Sequence, residues 1–324
     1  MMKLSQLNQA MLSTFLLMPA NLFVIVVANR WYSSVLLTQL GGRKTRRYTN
    51  RLSYKIAKVW AFLFLLLLSN TLPVQAQSSF PQANCVASAN IIYLGETHNV
   101  AADHQAELDM IQQLRIRHAK VAIAMEMFQR PYQGVLDRYE AGQLSEKELL
   151  EQSEYEQRWG FPWEYYASIL RFAKANKLPI LALNTPTEVT RQVARGGLES
   201  LTLAQRKLIP PLSEIRTDNP EYRQLMLNIF KQHQDAGNGR SANFENFFKA
   251  QVLWDETMAE TIAQFWQSHP DYLVVVLAGQ GHVYDYAIPS RVARRLNNQH
   301  LVQRSILFPQ DCLNTTSNWG VKKQ

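Results

Sequence analysis

Two short motifs place a histidine three positions after a glycine. Residues 95–98 read Gly-Glu-Thr-His, and residues 279–282 read Gly-Gln-Gly-His. The chain has only seven histidines, so two copies of this spacing are uncommon by chance. A neutral imidazole binds transition metals and exchanges protons near neutral pH. His98 and His282 are therefore candidate metal ligands.

Two glutamates lie close to these motifs or within an apolar run. Glu96 belongs to the first motif, and Glu126 lies between Met125 and Met127. A carboxylate in apolar surroundings needs a partner, hydrogen bonds or a shifted pKa, and it can then serve as a general base on water. Glu96 and Glu126 are the candidate catalytic residues. The alternative is that each only caps a helix or lies in a solvated loop.

The elements that position these groups are predicted to be buried strands. Four runs are apolar without polar alternation, which is typical of a parallel sheet covered on both faces. These are residues 91–94, 121–125, 179–183 and 272–278, and a fifth strand is predicted at 301–308. Ligands bind at the carboxyl ends of such strands. The four ends bring Glu96, His98, Glu126, Asn184 and His282 toward one edge.

A long helix, predicted from residue 244 to about 267, adds two polar groups. Gln251 and Asp255 are four positions apart and share the apolar face of Phe248 and Met258. Polar groups on a buried face need partners. Either both line the pocket at the strand ends, or they make a structural hydrogen bond to a loop.

Strands that alternate with helices predict an α/β fold. We expect three α/β/α layers around a mostly parallel sheet of about five strands, with a helical subdomain inserted at about residues 130–268. The remaining histidines have polar neighbours and are expected at the surface: His104, His118, His233, His269 and His300. The sequence has no zincin, P-loop, dinucleotide-binding or serine-hydrolase motif, which excludes those classes as defaults.

The positive charge of the chain is confined to its beginning. The 324 residues carry a net charge of +8, but residues 1–76 hold nine Lys or Arg and no acidic residue. The rest has 25 basic and 26 acidic residues, which excludes nucleic acid as an expected partner. A hydrophobic content of 47% excludes a disordered chain.

The first 84 residues are interpreted as a targeting or membrane segment with a linker. A basic run at 43–58 precedes ten apolar residues at 59–68 and a Val-Gln-Ala site at 74–76, which is typical of a secretory signal. A second apolar stretch at 11–28 indicates either a start codon downstream of Met1 or a first membrane anchor. We expect an exported protein of the periplasm or cell envelope. Residues 313–324 are expected to form a flexible tail.

Two cysteines exclude a disulfide-dense scaffold, a four-cysteine zinc site and a cysteine-ligated iron–sulfur cluster. In an oxidising compartment Cys85 and Cys312 could pair and join the two domain ends. Two free thiols are the alternative.

An aromatic stretch at residues 159–166 lies early in the helical region. It contains Trp159, Phe161, Trp163, Tyr165 and Tyr166. Such residues could form the core of the subdomain or an apolar wall for a flat ligand. A tyrosine oxygen can ligate the iron of a haem.

The ordered motifs resemble those of the ChaN family of haem-binding uptake proteins, which is grouped with the Tiki/TraB peptidases and the erythromycin esterases. The resemblance spans about residues 88–308, and its motifs are residues 94–98, 125–128, 183–184, 255–258 with Gln251, 277–282 and 288–289. It implies a domain at 85–312 with an α/β/α sandwich, haem binding with tyrosine ligation and a haem-bridged homodimer. In the Tiki/TraB group, paired histidine motifs and a glutamate build a metal-dependent hydrolase site; His98, His282 and Glu126 occupy those positions.

Three functions follow as hypotheses. The first is an exported haem-binding protein of iron or haem uptake, with Tyr165 or Tyr166 at the iron and Arg130 and Arg191 at the propionates. The second is a metal-dependent hydrolase, and the third is an envelope protein that binds a partner. The loop after residue 282 departs from the family's glycine-rich pattern at Asp285 and Ala287. Residues 82–84 make a poor lipidation box, so any membrane attachment would use the N-terminal segment.

Overall fold

The computed structural model describes residues 86–235, 243–308 and 312–313. These residues belong to the unit that spans residues 80–324. The targeting segment at 1–84, Cys85 with its possible pairing, and the tail beyond Leu313 lie outside the described residues and stay predictions. Within the described residues, no helix is both long and apolar enough to span a membrane.

Six strands form one sheet in the described part of the chain. They are β1 (Ile91–Glu96), β2 (Val121–Gln129), β3 (Ile180–Asn184), β4 (Leu273–Gly279), β5 (Gln303–Leu307) and β6 (Cys312–Leu313). Their order across the sheet is β3-β2-β4-β1-β5-β6. Strands β1 to β5 are parallel, and β6 pairs antiparallel with β5. The predicted mostly parallel sheet is confirmed.

Ten α-helices occur in the described residues. They are α1 (Ala101–Arg117), α2 (Gln133–Glu140), α3 (Glu146–Gln152), α4 (Tyr155–Arg158), α5 (Glu164–Asn176), α6 (Thr187–Gly196), α7 (Leu203–Arg206), α8 (Pro220–Asp235), α9 (Phe244–Ser268) and α10 (Ile288–Leu296). Ser145 and Glu148 form the capping box that their spacing indicates at the start of α3.

Alternate residues of each central strand face two different cores. Ile92 and Leu94 of β1 pack against α1 and α5, whereas Ile91 and Tyr93 pack against α9 and α10. Burial on both faces explains why these strands are apolar without alternation. The sheet therefore lies between two helical layers, which confirms the predicted α/β/α architecture.

The helices between β3 and β4 share a third core of their own. It joins Val193 of α6, Tyr222 of α8 and Phe248 of α9. The helices between β2 and β3 instead pack on the sheet, through Leu136 of α2 and Ile169 of α5. The exact bounds of the inserted subdomain stay a prediction.

The register of the sheet brings the candidate residues to one edge. Glu96 of β1 lies opposite Gly279 of β4, and on the other side of β4 Met125 lies opposite Leu277. Strand β2 extends past Met125 to Gln129, which lies opposite Asn184. The carboxyl ends of β1, β4, β2 and β3 are therefore consecutive along this edge.

Gly95 is the one position of the first motif where a side chain cannot be accommodated. A Cβ there would lie 2.6 Å from Val283 Cγ2 and 2.7 Å from Leu307 Cδ2, both in the core. We expect Gly95→Ala to lower the free energy of unfolding by about 1–3 kcal/mol, because overpacking shifts the neighbours.

Urea denaturation measures this effect, with Gly134→Ala in α2 as the matched control. A Cβ at Gly134 meets nothing within 4 Å, so the control should be neutral or slightly stabilising. Equal effects at the two positions would show that the space around Gly95 is not tight.

Candidate functional site

His98 is held by a buried carboxylate at the end of β1. Its Nδ1 lies 2.7 Å from Glu96 Oε1, and the Tyr166 hydroxyl donates to the same oxygen at 2.6 Å. A carboxylate only accepts, so the proton of His98 is on Nδ1. Burial lowers the pKa of His98, but its hydrogen bond to Glu96 and the charges of Glu126 and Glu96 outweigh this and raise it. The His98 side chain is 26% exposed, so solvent reaches it.

His282 is held in the same way at the end of β4. Its Nδ1 lies 2.6 Å from Asp255 Oδ1, a carboxylate that α9 places there with no exposed surface. Arg291 of α10 is 4.0 Å from the other oxygen of Asp255. Burial lowers the pKa of His282, but the charges of Glu126 and Asp255 and the hydrogen bond outweigh this and raise it to about 9. The structure thus places Asp255 at the strand ends.

Glu126 lies between the two imidazoles. Its Oε1 is 3.6 Å from His282 Nε2, and its Oε2 accepts a hydrogen bond of 2.8 Å from the backbone N–H of Gly279. A Cβ at Gly279 would lie 2.9 Å from His98 Nε2 and 3.8 Å from Glu126 Oε2. The absence of a side chain there lets the His98 ring lie over the strand end. We call His98, His282 and Glu126 the paired-histidine site.

Asn184 and Gln251, the other two predicted pocket residues, differ in their hydrogen bonds. Asn184 is buried, and its side-chain amide donates to the backbone oxygen of Glu126 at 3.0 Å. It therefore positions the strand that carries Glu126. Gln251 is half-buried on α9, and within the described residues no hydrogen bond joins it to the paired-histidine site.

The aromatic stretch divides between the core and the surface. Trp163 and Tyr166 are buried, and burial together with the charge of Glu96 raises the pKa of Tyr166. Trp159, Phe161 and Tyr165 are half-buried. We call these three residues the aromatic surface. The rings of Trp159 and Phe161 lie 5.0 Å and 4.8 Å from the His98 ring, centroid to centroid.

The expectation that His104 is a surface residue is wrong. It is 4% exposed, its Nδ1 is 3.3 Å from Glu107 Oε2, and its ring stacks on Tyr165 at 4.8 Å. Residues 103, 104, 107, 110, 111 and 114 of α1 are all buried. Their helical spacing is the signal that could have identified this polar buried face.

Of the other four histidines expected at the surface, the structure describes the side chains of three. His269 and His300 are exposed, as predicted, and His118 is half-buried. The side chain of His233 lies outside the described residues.

The two candidate propionate ligands, Arg130 and Arg191, lie in different settings. Arg130 is 2.7 Å from Glu260 Oε2 in an ion pair that is partly exposed. Arg191 is exposed. Burial raises the pKa of Glu188, but a backbone hydrogen bond, the hydrogen bond from Arg158 and the charges of Arg158 and Arg191 together outweigh this and lower it.

Residues 83–292 match the family described as haem-binding uptake, Tiki superfamily, ChaN. The chain belongs to this family. The match covers the sheet edge, the aromatic surface and the paired-histidine site of this ChaN-family chain.

Individual proteins are similar to this chain at low identity. The structure of cofacial heme binding to ChaN of Campylobacter jejuni has a TM-score of 0.55 and 16% identity, covering 70% of this chain and 84% of that one. An erythromycin esterase, EreC, has a TM-score of 0.43 and 17% identity, covering 69% and 71%. Protein RETICULATA-RELATED 5, chloroplastic, of Arabidopsis thaliana is 28% identical over 225 residues. The match covers 64% of this chain and 30% of that relative, so this chain spans about a third of the relative's length.

The residues of the aromatic surface fit a haem. Trp159 and Phe161 offer apolar faces, and the described residues give the half-buried Tyr165 hydroxyl no hydrogen-bond partner. Phenolate oxygen is an accepted axial ligand of haem iron. Tyr166 differs, because its hydroxyl is buried and donates to Glu96. The donor set therefore favours Tyr165 over Tyr166.

His282 should make the stability of this ChaN-family chain depend on pH. Its pKa is about 9 in the folded protein against 6.5 as the ordinary value. A raised folded pKa contributes stability that is fully present below pH 6.5 and lost as pH rises through about 9. Glu126 and Asp255 favour the cation, whereas Arg291 opposes it.

We expect wild type to exceed His282→Gln in unfolding free energy near pH 6, and the difference to shrink by roughly 3 kcal/mol toward pH 10. Urea denaturation across that range measures it, with exposed His300→Gln as the control. A difference that stays constant with pH would show that His282 is not a stabilising cation.

Proposed function

We propose that this chain binds haem on the aromatic surface. The observation that carries the proposal is a half-buried tyrosine with an unused hydroxyl, Tyr165, which packs against the same core as the half-buried rings of Trp159 and Phe161. Membership of a haem-binding uptake family supports it. Flat apolar slots with a few polar anchors are the usual form of such sites.

Each residue has a distinct role in this proposal. The Tyr165 oxygen holds the iron, and the rings of Trp159 and Phe161 exclude water from the porphyrin face. Arg191 binds a propionate as an exposed cation. Arg130 is able to do the same only by exchanging its contact with Glu260. Bound haem supplies the redox and ligand chemistry of its iron.

The setting of this binding is also part of the proposal. We place the chain in the envelope after export, in iron or haem uptake, with membrane association through the N-terminal segment. Cofacial heme binding in the Campylobacter jejuni relative supports a homodimer in which two haems lie face to face. Sedimentation of the chain with and without haem tests this, since a haem-bridged dimer forms only in the presence of haem.

Titration of the purified chain with hemin tests the binding itself. We expect a shifted Soret band that saturates at one haem per chain. A double variant, Trp159→Ala with Phe161→Ala, should bind much more weakly because the apolar wall is removed. Unshifted hemin absorbance at stoichiometric protein would refute the proposal.

A second candidate function is metal-dependent hydrolysis at the paired-histidine site. The observation that favours it is the matched geometry of the two histidines, each with Nδ1 on a buried carboxylate, together with Glu126 Oε1 at 3.6 Å from His282 Nε2. Carboxylates behind metal-binding histidines fix the tautomer and strengthen the ligand. A divalent ion held by His98 and His282 would supply Lewis-acid chemistry. Glu126 would accept the proton of the attacking water.

Hydrolysis of peptide and ester substrates with added zinc, manganese or cobalt tests this function. We expect metal-stimulated turnover that His282→Ala abolishes and that the exposed-site variant His300→Gln retains. No turnover with any of the three metals would count against a hydrolase and leave the haem proposal unaffected.

A further inference from the structure

A second group of ligand-type side chains lies beneath the paired-histidine site. His104 Nδ1 is 3.6 Å from Glu96 Oε2 and 3.3 Å from Glu107 Oε2. One ligand atom from each residue lies within 4.8 Å of the others. The exposed fraction of the three side chains is 3% for His104 and 0% for both glutamates. We call these residues the Glu96–His104–Glu107 cluster.

The hydrogen bonds of the cluster leave acceptors facing one another. His104 Nε2 is 3.1 Å from the backbone oxygen of His98, which requires a proton on Nε2. When the ring is neutral, its Nδ1 presents a lone pair to two carboxylate oxygens. Glu96 Oε2 is buried without a hydrogen-bond partner, whereas Oε1 accepts from His98 and Tyr166. Buried acceptors in this arrangement need a positive charge or a proton between them.

The spacing suits a tetrahedral metal ion. Zinc binds nitrogen and carboxylate oxygen at about 2.1 Å, which separates neighbouring ligand atoms by about 3.4 Å in a tetrahedron. The distances from His104 Nδ1 to Glu96 Oε2 and to Glu107 Oε2, 3.6 Å and 3.3 Å, bracket that value. A metal-binding histidine usually donates its second N–H to a carbonyl or carboxylate, as His104 does to His98. Stacking on Tyr165 also restrains the ring.

We propose that Glu96, His104 and Glu107 bind one divalent transition-metal ion at a buried site separate from the paired-histidine site. The ion neutralises Glu96 Oε2 and fixes the carboxylate whose other oxygen orients His98. The competing occupant is a proton, either shared between the carboxylates or held on His104 Nδ1. Burial and the negative charge of Glu96 raise the pKa of Glu107, so a proton is the alternative that an experiment has to exclude.

Cobalt binding to the purified chain, prepared without added haem, tests the proposal. The chain is stripped with a chelator, then either incubated with Co²⁺ or refolded from urea in its presence, because the buried cluster opens slowly. We expect one cobalt per chain by elemental analysis, visible absorption typical of tetrahedral cobalt and a raised Tm. Binding only to the folded state produces that stabilisation.

Variants show which residues bind the ion. Glu107→Gln should lose the cobalt and still fold, since an amide can donate to Glu96 in place of a shared proton. Glu260→Gln is the matched carboxylate-to-amide control and should keep it, as should His282→Ala. No cobalt in wild type after refolding would overturn the proposal in favour of the shared proton. Cobalt that survives Glu107→Gln but is lost in His282→Ala would overturn it by placing the ion at the paired-histidine site.

Discussion

Replacing Glu96 by alanine should lower the free energy of unfolding by about 3 kcal/mol or more, because breaking a buried polar pair leaves its partners uncompensated. The Tyr166 hydroxyl and His98 Nδ1 both donate to Glu96 Oε1. Neither the hydroxyl nor the adjacent His104 can reach bulk water, since Tyr166 is 0% and His104 4% exposed. Glu96→Gln should cost less, because the amide oxygen still accepts from Tyr166.

Urea denaturation at neutral pH measures this loss. The matched control is Glu199→Ala, which removes an exposed carboxylate 3.3 Å from Lys249 Nζ. Surface pairs of that kind contribute about 0–1 kcal/mol. Equal losses at residues 96 and 199 would mean that Glu96 is not the buried centre of the network.

Tyr165→Phe should weaken haem binding at least about tenfold, which is about 1.4 kcal/mol. The substitution removes the proposed ligand oxygen and keeps the ring that stacks on His104 at 4.8 Å. The variant should also lose the visible bands of tyrosinate-bound iron. Its thermal stability should be unchanged, because the hydroxyl has no hydrogen-bond partner among the described residues.

The control for this variant is Tyr272→Phe. Tyr272 directly precedes β4 and therefore lies at the amino ends of the strands, opposite the site. It should bind haem like wild type. An unchanged haem spectrum and affinity in Tyr165→Phe would place the iron ligand elsewhere.

The sheet could be predicted from the sequence because its signal is local. Strands buried on both faces are apolar throughout, and the residues after each strand then follow at the carboxyl edge by topology. This reasoning brought Glu96, His98, Glu126 and His282 together correctly in space. The apolar run predicts that β2 ends at Met125, whereas the strand continues to Gln129. The sequence of β2 alone does not show this, because the extension depends on the pairing of Gln129 with Asn184 of β3.

The burial of the polar residues of α1 could be predicted from the sequence only in part. His104 and Glu107 are polar, and their burial becomes favourable only because Glu96 and the His98 carbonyl lie beside them. The choice between Tyr165 and Tyr166 likewise depends on the rotation of α5. Adjacent helical residues point about 100° apart, and only the packed structure shows that Tyr166 faces Glu96.

Glu126 acts on both imidazoles of the paired-histidine site at once, and imidazole NMR of wild type and Glu126→Gln tests this most directly. The charge of Glu126 raises the pKa of both His98 and His282. Glutamine removes that charge, while its amide oxygen can still accept from the Gly279 N–H. We predict that the pKa values of both histidines fall in the variant. A fall at only one histidine, or at neither, would contradict the shared site.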